Sequence, residues 1–299
     1  MSRAVKEKIP GSTVDLSPDE EREVEERSPP RAAVVFETIR REGQAELARP
    51  VLSLAASGLA AGLSMGMSLV GEGLMRSMLP AASWRPLVDS FGYSLGFLIV
   101  VLGRQQLFTE NTLTAILPLL DDPDRLKVLK QVGRLWAIVL ATNLVGAGLF
   151  AFAVAHSGIF PDDVRRTFGD IGREAAAPPF ALIVLRGVFA GWLIALMVWL
   201  LPGADQMRFF VVLLITWFVG LGSFSHIIAG SVEVLYAVAS GSVSWGHYFG
   251  LYLLPVFLGN VIGGVTLVAL LNYGQVVAEG EAPDPKAKAG SSRVSKRRA

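Results

Sequence analysis

Long apolar stretches recur along the chain at 51–72, 88–119, 135–156, 180–201, 209–239 and 248–274, and the segments between them hold most of the charge. Each stretch reaches the roughly 20 residues that a helix needs to cross ~30 Å of hydrocarbon. The pattern predicts an all-α integral membrane protein. The second and fifth stretches are too long for one straight crossing, and polar residues interrupt both. Arg104, Gln105 and Gln106, then Thr109, Glu110 and Asn111, break the second; Ser223 to His226 break the fifth. Either each is two helices joined by a tight turn, giving eight spans, or each is one crossing interrupted by a non-helical piece that lines a cavity.

Charge decides between these readings. With six crossings and an inside N-terminus, the inside segments hold nine Lys and Arg in residues 1–49, four in 121–134, one in 202–208 and six in 279–299, against five in all the outside loops. That satisfies the positive-inside rule, so six transmembrane helices are expected, two of them broken, in an inner (cytoplasmic) membrane with both termini cytoplasmic. Residues 1–32 are Pro-, Glu- and Arg-rich without an apolar period and read as a disordered tail. In residues 33–48 Phe36, Ile39 and Leu47 share one face, while Arg40, Arg41 and Glu46 fall mostly on the other. This helix either lies on the membrane surface or packs against the spans. The expected organisation is therefore a polar tail and amphipathic helix (1–48), a transport domain (49–275) and a basic disordered tail (276–299).

Composition narrows the chemistry. The chain is 52% hydrophobic and 18% charged, with a net charge of +1 and no cysteine. No overall field points to nucleic acid as a partner. Thiolate nucleophiles and Cys-ligated metals are excluded, and no His-Glu-x-x-His pattern occurs, so no cofactor or metal is expected. Ser225 and His226 are sequence neighbours and would seldom meet as a nucleophile–base pair, which argues against a hydrolase.

The two halves echo each other. Gly58 and Gly62 in span one correspond to Gly187 and Gly191 in span four. Phe108-Thr109 at the first break corresponds to Phe224-Ser225 at the second, and Asn143–Gly146 in span three to Asn260–Gly263 in span six. A repeat of three spans places the second copy upside down relative to the first, with the two breaks meeting near the midplane to form a solute site.

The ordered set Leu107-Phe108-Thr109-Glu110-Asn111, Asn143–Gly146, Gly187–Gly191, Ser225-His226, Pro255 and Gly259–Gly264 resembles the formate/nitrite transporter family over residues ~50–275. The resemblance implies an aquaporin-like fold with an inverted 3+3 repeat, assembled as a homopentamer with one pore per subunit. It implies small monovalent weak-acid anions, or their neutral acids, as the transported partners. It places a proton donor at His226, a hydrogen-bonding partner at Thr109 and a constriction at Leu107 and Phe108, with Ser225 and Asn111 beside them. Phe224 is assigned to the other constriction by repeat symmetry. The physical sense is that a bare anion at the centre of a bilayer is costly and its protonated form much less so. Helix N-termini after each break would add positive potential.

The chain also departs from better-known members. Ser225 stands where an acidic residue often precedes the histidine, and Gly191 and Gly230 stand where asparagines occur, which predicts a wider or wetter pore. Arg104 and Glu110 lie at the first break, and Glu233 is two helical turns beyond His226. Arg104 and Arg186 either pair with Glu110, Glu72 or Glu233 or attract anions. A pore for neutral solutes and a non-transporting sensor remain alternatives.

Overall fold

The computed structural model describes residues 16–28 and 30–281, and the chain divides into two units, residues 1–31 and 32–299. In the first unit α1 (Pro18–Arg27) is a short acidic helix. The sequence reading made this region disordered. A capping box explains the helix: Ser17 N–H donates to the Glu20 carboxylate at 2.7 Å and Glu20 N–H donates to Ser17 Oγ at 3.3 Å, pairing donors that would otherwise fray the first turn. Residues 1–15 and 282–299, where the tails were expected, lie outside the described residues.

The second unit is helical throughout, with no strand among the described residues. It contains α2 (Ala32–Ala48), α3 (Val51–Met78), α4 (Arg85–Leu102), α5 (Phe108–Thr114), α6 (Ile116–Asp121), α7 (Arg125–Ser157), α8 (Asp162–Ala176), α9 (Phe180–Leu200), α10 (Arg208–Leu221), α11 (Ala229–Ala239) and a last helix, α12 (Trp245–Ala278). Five of these, α3, α4, α7, α9 and α12, are long and apolar enough to cross a membrane. Their starts follow local chemistry. Pro50 and Pro179 precede α3 and α9, and Asp124 caps α7 by accepting from Lys127 N–H at 3.2 Å. Gly158, at φ 67°, ends α7 in the left-handed conformation that glycine adopts freely.

Two features were not expected. The charged segment between the apolar stretches 135–156 and 180–201, where six crossings require only a connecting loop, forms α8, whose Val164, Phe168 and Ile171 are buried against the bundle. Helix α12 continues past the predicted boundary at residue 275. Helix α2 settles an open choice, because it packs on the apolar helices. Val35, Phe36, Ile39 and Leu47 are buried, Phe36 meets Tyr273 with ring centroids 5.7 Å apart, and Arg134 Nη2 donates to Leu47 O at 2.7 Å.

Close helix approach depends on small residues. A Cβ at Gly62 would strike the Asn143 carbonyl of α7, and one at Gly191 would strike the Asn260 backbone of α12. Gly191 is therefore a packing residue, and the expectation that it widens a pore is corrected.

Candidate functional site

Helices α4 and α10 stop abruptly at Leu102 and Leu221, and each ends in the same way. Arg104 N–H donates to Val101 O at 3.1 Å and Gln105 N–H to Val100 O at 2.9 Å. Ser223 N–H donates to Gly220 O at 2.9 Å and Phe224 N–H to Val219 O at 3.0 Å. These are paired Schellman closures with Arg104 and Ser223, both at φ 50°, in the left-handed position that glycine usually takes. Holding a non-glycine residue there costs about 1–3 kcal/mol, so the surroundings must enforce it.

They do so through one buried asparagine per turn. Asn143 Oδ1 accepts from Phe108 N–H at 2.9 Å, while its Nδ2 donates to Gly58 O at 2.8 Å and Gln106 O at 2.9 Å. Asn260 Oδ1 accepts from Ile227 N–H at 2.9 Å, while its Nδ2 donates to Gly187 O at 2.9 Å and Ser225 O at 2.8 Å. Each amide thus clamps a non-helical loop to a neighbouring helix, and both are fully buried. This bonding corrects the predicted correspondence. Gln106 answers to Ser225 and Phe108 to Ile227, so Phe224 answers to Gln105 and His226 to Leu107. The Phe-Thr/Phe-Ser likeness misled because loop side chains were compared where backbone bonds set the register.

The first turn of α5 and the second loop meet at Thr109 and His226. Thr109 Oγ1 lies 2.7 Å from His226 Nε2, with both residues buried. His226 Nδ1 accepts from Ile228 N–H at 3.3 Å and Ala229 N–H at 3.2 Å. An Nδ1 that accepts carries no proton, so the ring is the neutral Nε2–H tautomer and Nε2–H donates to Thr109. The imidazole and the Phe97 ring meet in a T-shaped arrangement, with centroids 4.8 Å apart. Sequence reasoning missed Phe97, which sits in an unremarkable apolar run.

A cavity opens on either side of this pair. One, about 510 Å³, reaches His226, Ser225 and Phe224 and is walled by Glu72, Arg186, Glu233 and Tyr252. The other, about 550 Å³, is walled by Arg104, Gln105, Gln106, Glu110 and residues of α2. Asp89 borders the first and Val101 the second; twelve residues along α4, that is about 18 Å. Leu107, Phe108, Thr109 and Asn111 border neither cavity and are buried. Phe108 packs on Phe257 and Trp136 at 5.7 and 5.6 Å. Asn111 turns inward, donating to Gln106 Oε1 and Leu107 O at 3.2 Å. Phe224 is stacked on Phe189 at 5.2 Å on a cavity wall.

Several expectations change here. Among the described residues Arg104 and Arg186 form no ion pair, so the candidate partners Glu110, Glu72 and Glu233 do not hold them; each cavity presents one such arginine. Glu110 Oε1 is buried with no hydrogen-bond partner among the described residues. At the N-termini after the two breaks, the N–H groups of Phe108 and Ile227 are bonded to the asparagines, and those of Ile228 and Ala229 to His226. Buried N–H groups rarely stay unpaired. A Cβ at Gly230 would collide with Tyr252 Oη. A hydroxyl from α12 therefore fills the space, and the wider pore predicted from Gly191 and Gly230 is not formed.

The sequence model of one protein family, Formate/nitrite transporter, matches residues 33–274. The chain is 39% identical over 255 residues to "Inner membrane protein YfdC" of Escherichia coli (strain K12), covering 84% of this chain and 81% of that protein. Its fold matches two solved structures, each at 19% identity. "FNT family ion channel" gives a TM-score of 0.68 over 81% of this chain and 98% of that one. "Pentameric formate channel with formate bound" gives 0.64 over 76% and 98%.

Proposed function

Since the chain belongs to the formate/nitrite transporter family, we propose that it conducts small monovalent weak-acid anions of the formate and nitrite kind, crossing the buried middle as neutral acids. The observation that carries this reading is the Thr109–His226 pair, joined at 2.7 Å between two cavities, each lined by an arginine that forms no ion pair among the described residues, Arg186 in the first and Arg104 in the second. An anion is drawn into a wet cavity by a guanidinium and gains a proton before it passes Thr109, Leu107 and Phe108. In its neutral form it then meets apolar walls without the cost of buried charge. Neutral His226 donates from Nε2 and Thr109 keeps a hydroxyl hydrogen, so together they offer a passing acid both a donor and an acceptor.

In the same reading α4 with α5 and α6, and α10 with α11, are two interrupted crossings that bring the total to six. The matched Schellman closures and asparagine clamps support an inverted repeat. The Lys- and Arg-rich end, with Arg125, Lys127, Lys130 and Arg134, faces the cytoplasm together with both termini, in an inner membrane. The protein assembles as a pentamer, as in the formate-bound channel whose fold it shares.

The test is a flux panel in proteoliposomes. Formate, nitrite and acetate should enter faster than into empty vesicles and faster still as external pH falls. Swelling in glycerol should match that of empty vesicles. Fast glycerol entry with no anion flux would replace this reading with a neutral-solute pore.

A further inference from the structure

Resting on the transport reading, we propose that Glu233 is the proton-donating group of the cavity that His226 faces, passing its proton to the arriving weak-acid anion before that solute reaches the Thr109–His226 pair. Glu233 is 7% exposed, borders this cavity, and has neither a hydrogen bond nor an ion pair among the described residues. A buried carboxylate needs a cation or several N–H donors. A carboxylic acid needs only an outlet for its O–H, and a water-sized cavity supplies one.

The surroundings fit that role. From α3, Glu72 and Arg76 face Glu233, and from α8, Glu174. Tyr93 of α4 and Tyr252 of α12 complete the ring of titratable neighbours. Arg76 is engaged by Glu174 at 2.6 Å, and Arg85 lies 3.8 Å from Asp89. Arg186 is the arginine in this cavity with no ion pair among the described residues, and it lines the cavity together with Phe224 and Ser225. An anion attracted by Arg186 therefore enters a chamber whose unengaged acids are Glu72 and Glu233. Between Glu233 and His226 lies Gly230. The point where its Cβ would stand is taken by Tyr252 Oη and is 3.8 Å from Glu233 Oε2. A phenol hydroxyl and a carboxyl oxygen thus flank the path toward the histidine.

The step is a plain proton transfer. The O–H bond of the Glu233 acid breaks and an O–H bond forms on a solute carboxylate or nitrite oxygen, leaving the Glu233 carboxylate and the neutral acid. The carboxylate then takes a proton from a hydronium ion arriving through the water at the cavity mouth, which leaves a water molecule and restores the acid.

The experiment uses the full-length protein and its Glu233→Gln, Glu233→Asp and Glu72→Gln variants. Infrared difference spectra on adding sodium formate to purified protein should show loss of a carboxylic-acid C=O band. That loss should be absent in Glu233→Gln and retained in Glu72→Gln and Glu233→Asp. In proteoliposomes Glu233→Gln should lower formate influx at neutral pH by about tenfold or more, recover as external pH falls because the solute then arrives protonated, and be rescued in part by Glu233→Asp. A band that persists in Glu233→Gln, or an influx–pH profile superimposable on wild type, overturns the proposal. Wild-type influx no faster than in empty vesicles would sink the transport reading itself, and the infrared band alone then decides whether Glu233 protonates a bound anion.

Discussion

Replacing Asn260 by alanine tests the clamp that holds the second loop. The substitution deletes one accepted and two donated hydrogen bonds and leaves Ile227 N–H and the loop carbonyl of Ser225 without partners in a buried site, while the Gly187 carbonyl keeps its bond within α9. Interhelical hydrogen bonds within membranes are worth about 0.6 kcal/mol each on average, which sets a floor near ~2 kcal/mol. Orphaned buried polar groups cost about 1–3 kcal/mol each, and partial relaxation of the loop brings a realistic ceiling to about 5 kcal/mol. For a chain of this size that is a fall of about 3–8 °C in apparent melting temperature. The assay is thermal unfolding of the purified protein in detergent. Asn143→Ala should give a similar fall, because it deletes the equivalent three bonds. Asn260→Asp keeps the acceptor for Ile227 but sets a second carboxyl oxygen against the carbonyls of Gly187 and Ser225 in a buried site, so it should fall at least as far as alanine. A melting temperature for Asn260→Ala within a degree or two of wild type would show that the clamp does not hold the loop.

Other outcomes follow from the same contacts. Thr109→Val preserves shape but orphans the buried His226 Nε2–H, so it should lower stability by about 1–3 kcal/mol and depress formate flux, read by melting and by proteoliposome influx. Gly191→Ala must push α9 away from the Asn260 backbone and should cost about 1–3 kcal/mol. Gly274→Ala, which meets nothing within 4 Å, should be neutral or slightly stabilising in the same melt. Outside the apolar helices, hydrogen bonds from Arg40 and then Arg41 hold the Glu37 carboxyl well below the usual range, at about 2. Its contribution to α2 is present above the ordinary carboxylate value and is lost as pH falls through about 2. Glu37→Gln should therefore flatten the acid limb of a melt-versus-pH curve, with a small amplitude because the pair is partly exposed.

Much of this architecture is legible in the sequence because apolar length is a strong signal. Four of the predicted stretches became the long helices α3, α7, α9 and α12. The loops at Arg104 and Ser223 fall where polar residues interrupt apolar runs. The pairing of Thr109 with His226 came from the family resemblance, and its distance only from coordinates. Weaker signals failed for identifiable reasons. Helix α8 alternates Asp and Arg with its buried Val164, Phe168 and Ile171 and reads as a charged loop when only mean polarity is weighed; its four- and three-residue apolar spacing was the missed cue. The capping box at Ser17 and Glu20 was similarly available and overlooked. The loop register was set by Asn143 and Asn260, whose backbone partners no side-chain comparison reveals. The filling of Gly230 by Tyr252 joins residues on two different helices, which no local pattern encodes.

Formate influx into proteoliposomes, measured side by side for wild type and His226→Phe at matched incorporation, bears most directly on the passage between the two cavities. Wild type should transport formate well above empty vesicles, and the phenylalanine variant, which fills the same site without a donor, should fall to the vesicle background. Equal rates for the two proteins would place the conducting path elsewhere and contradict the account.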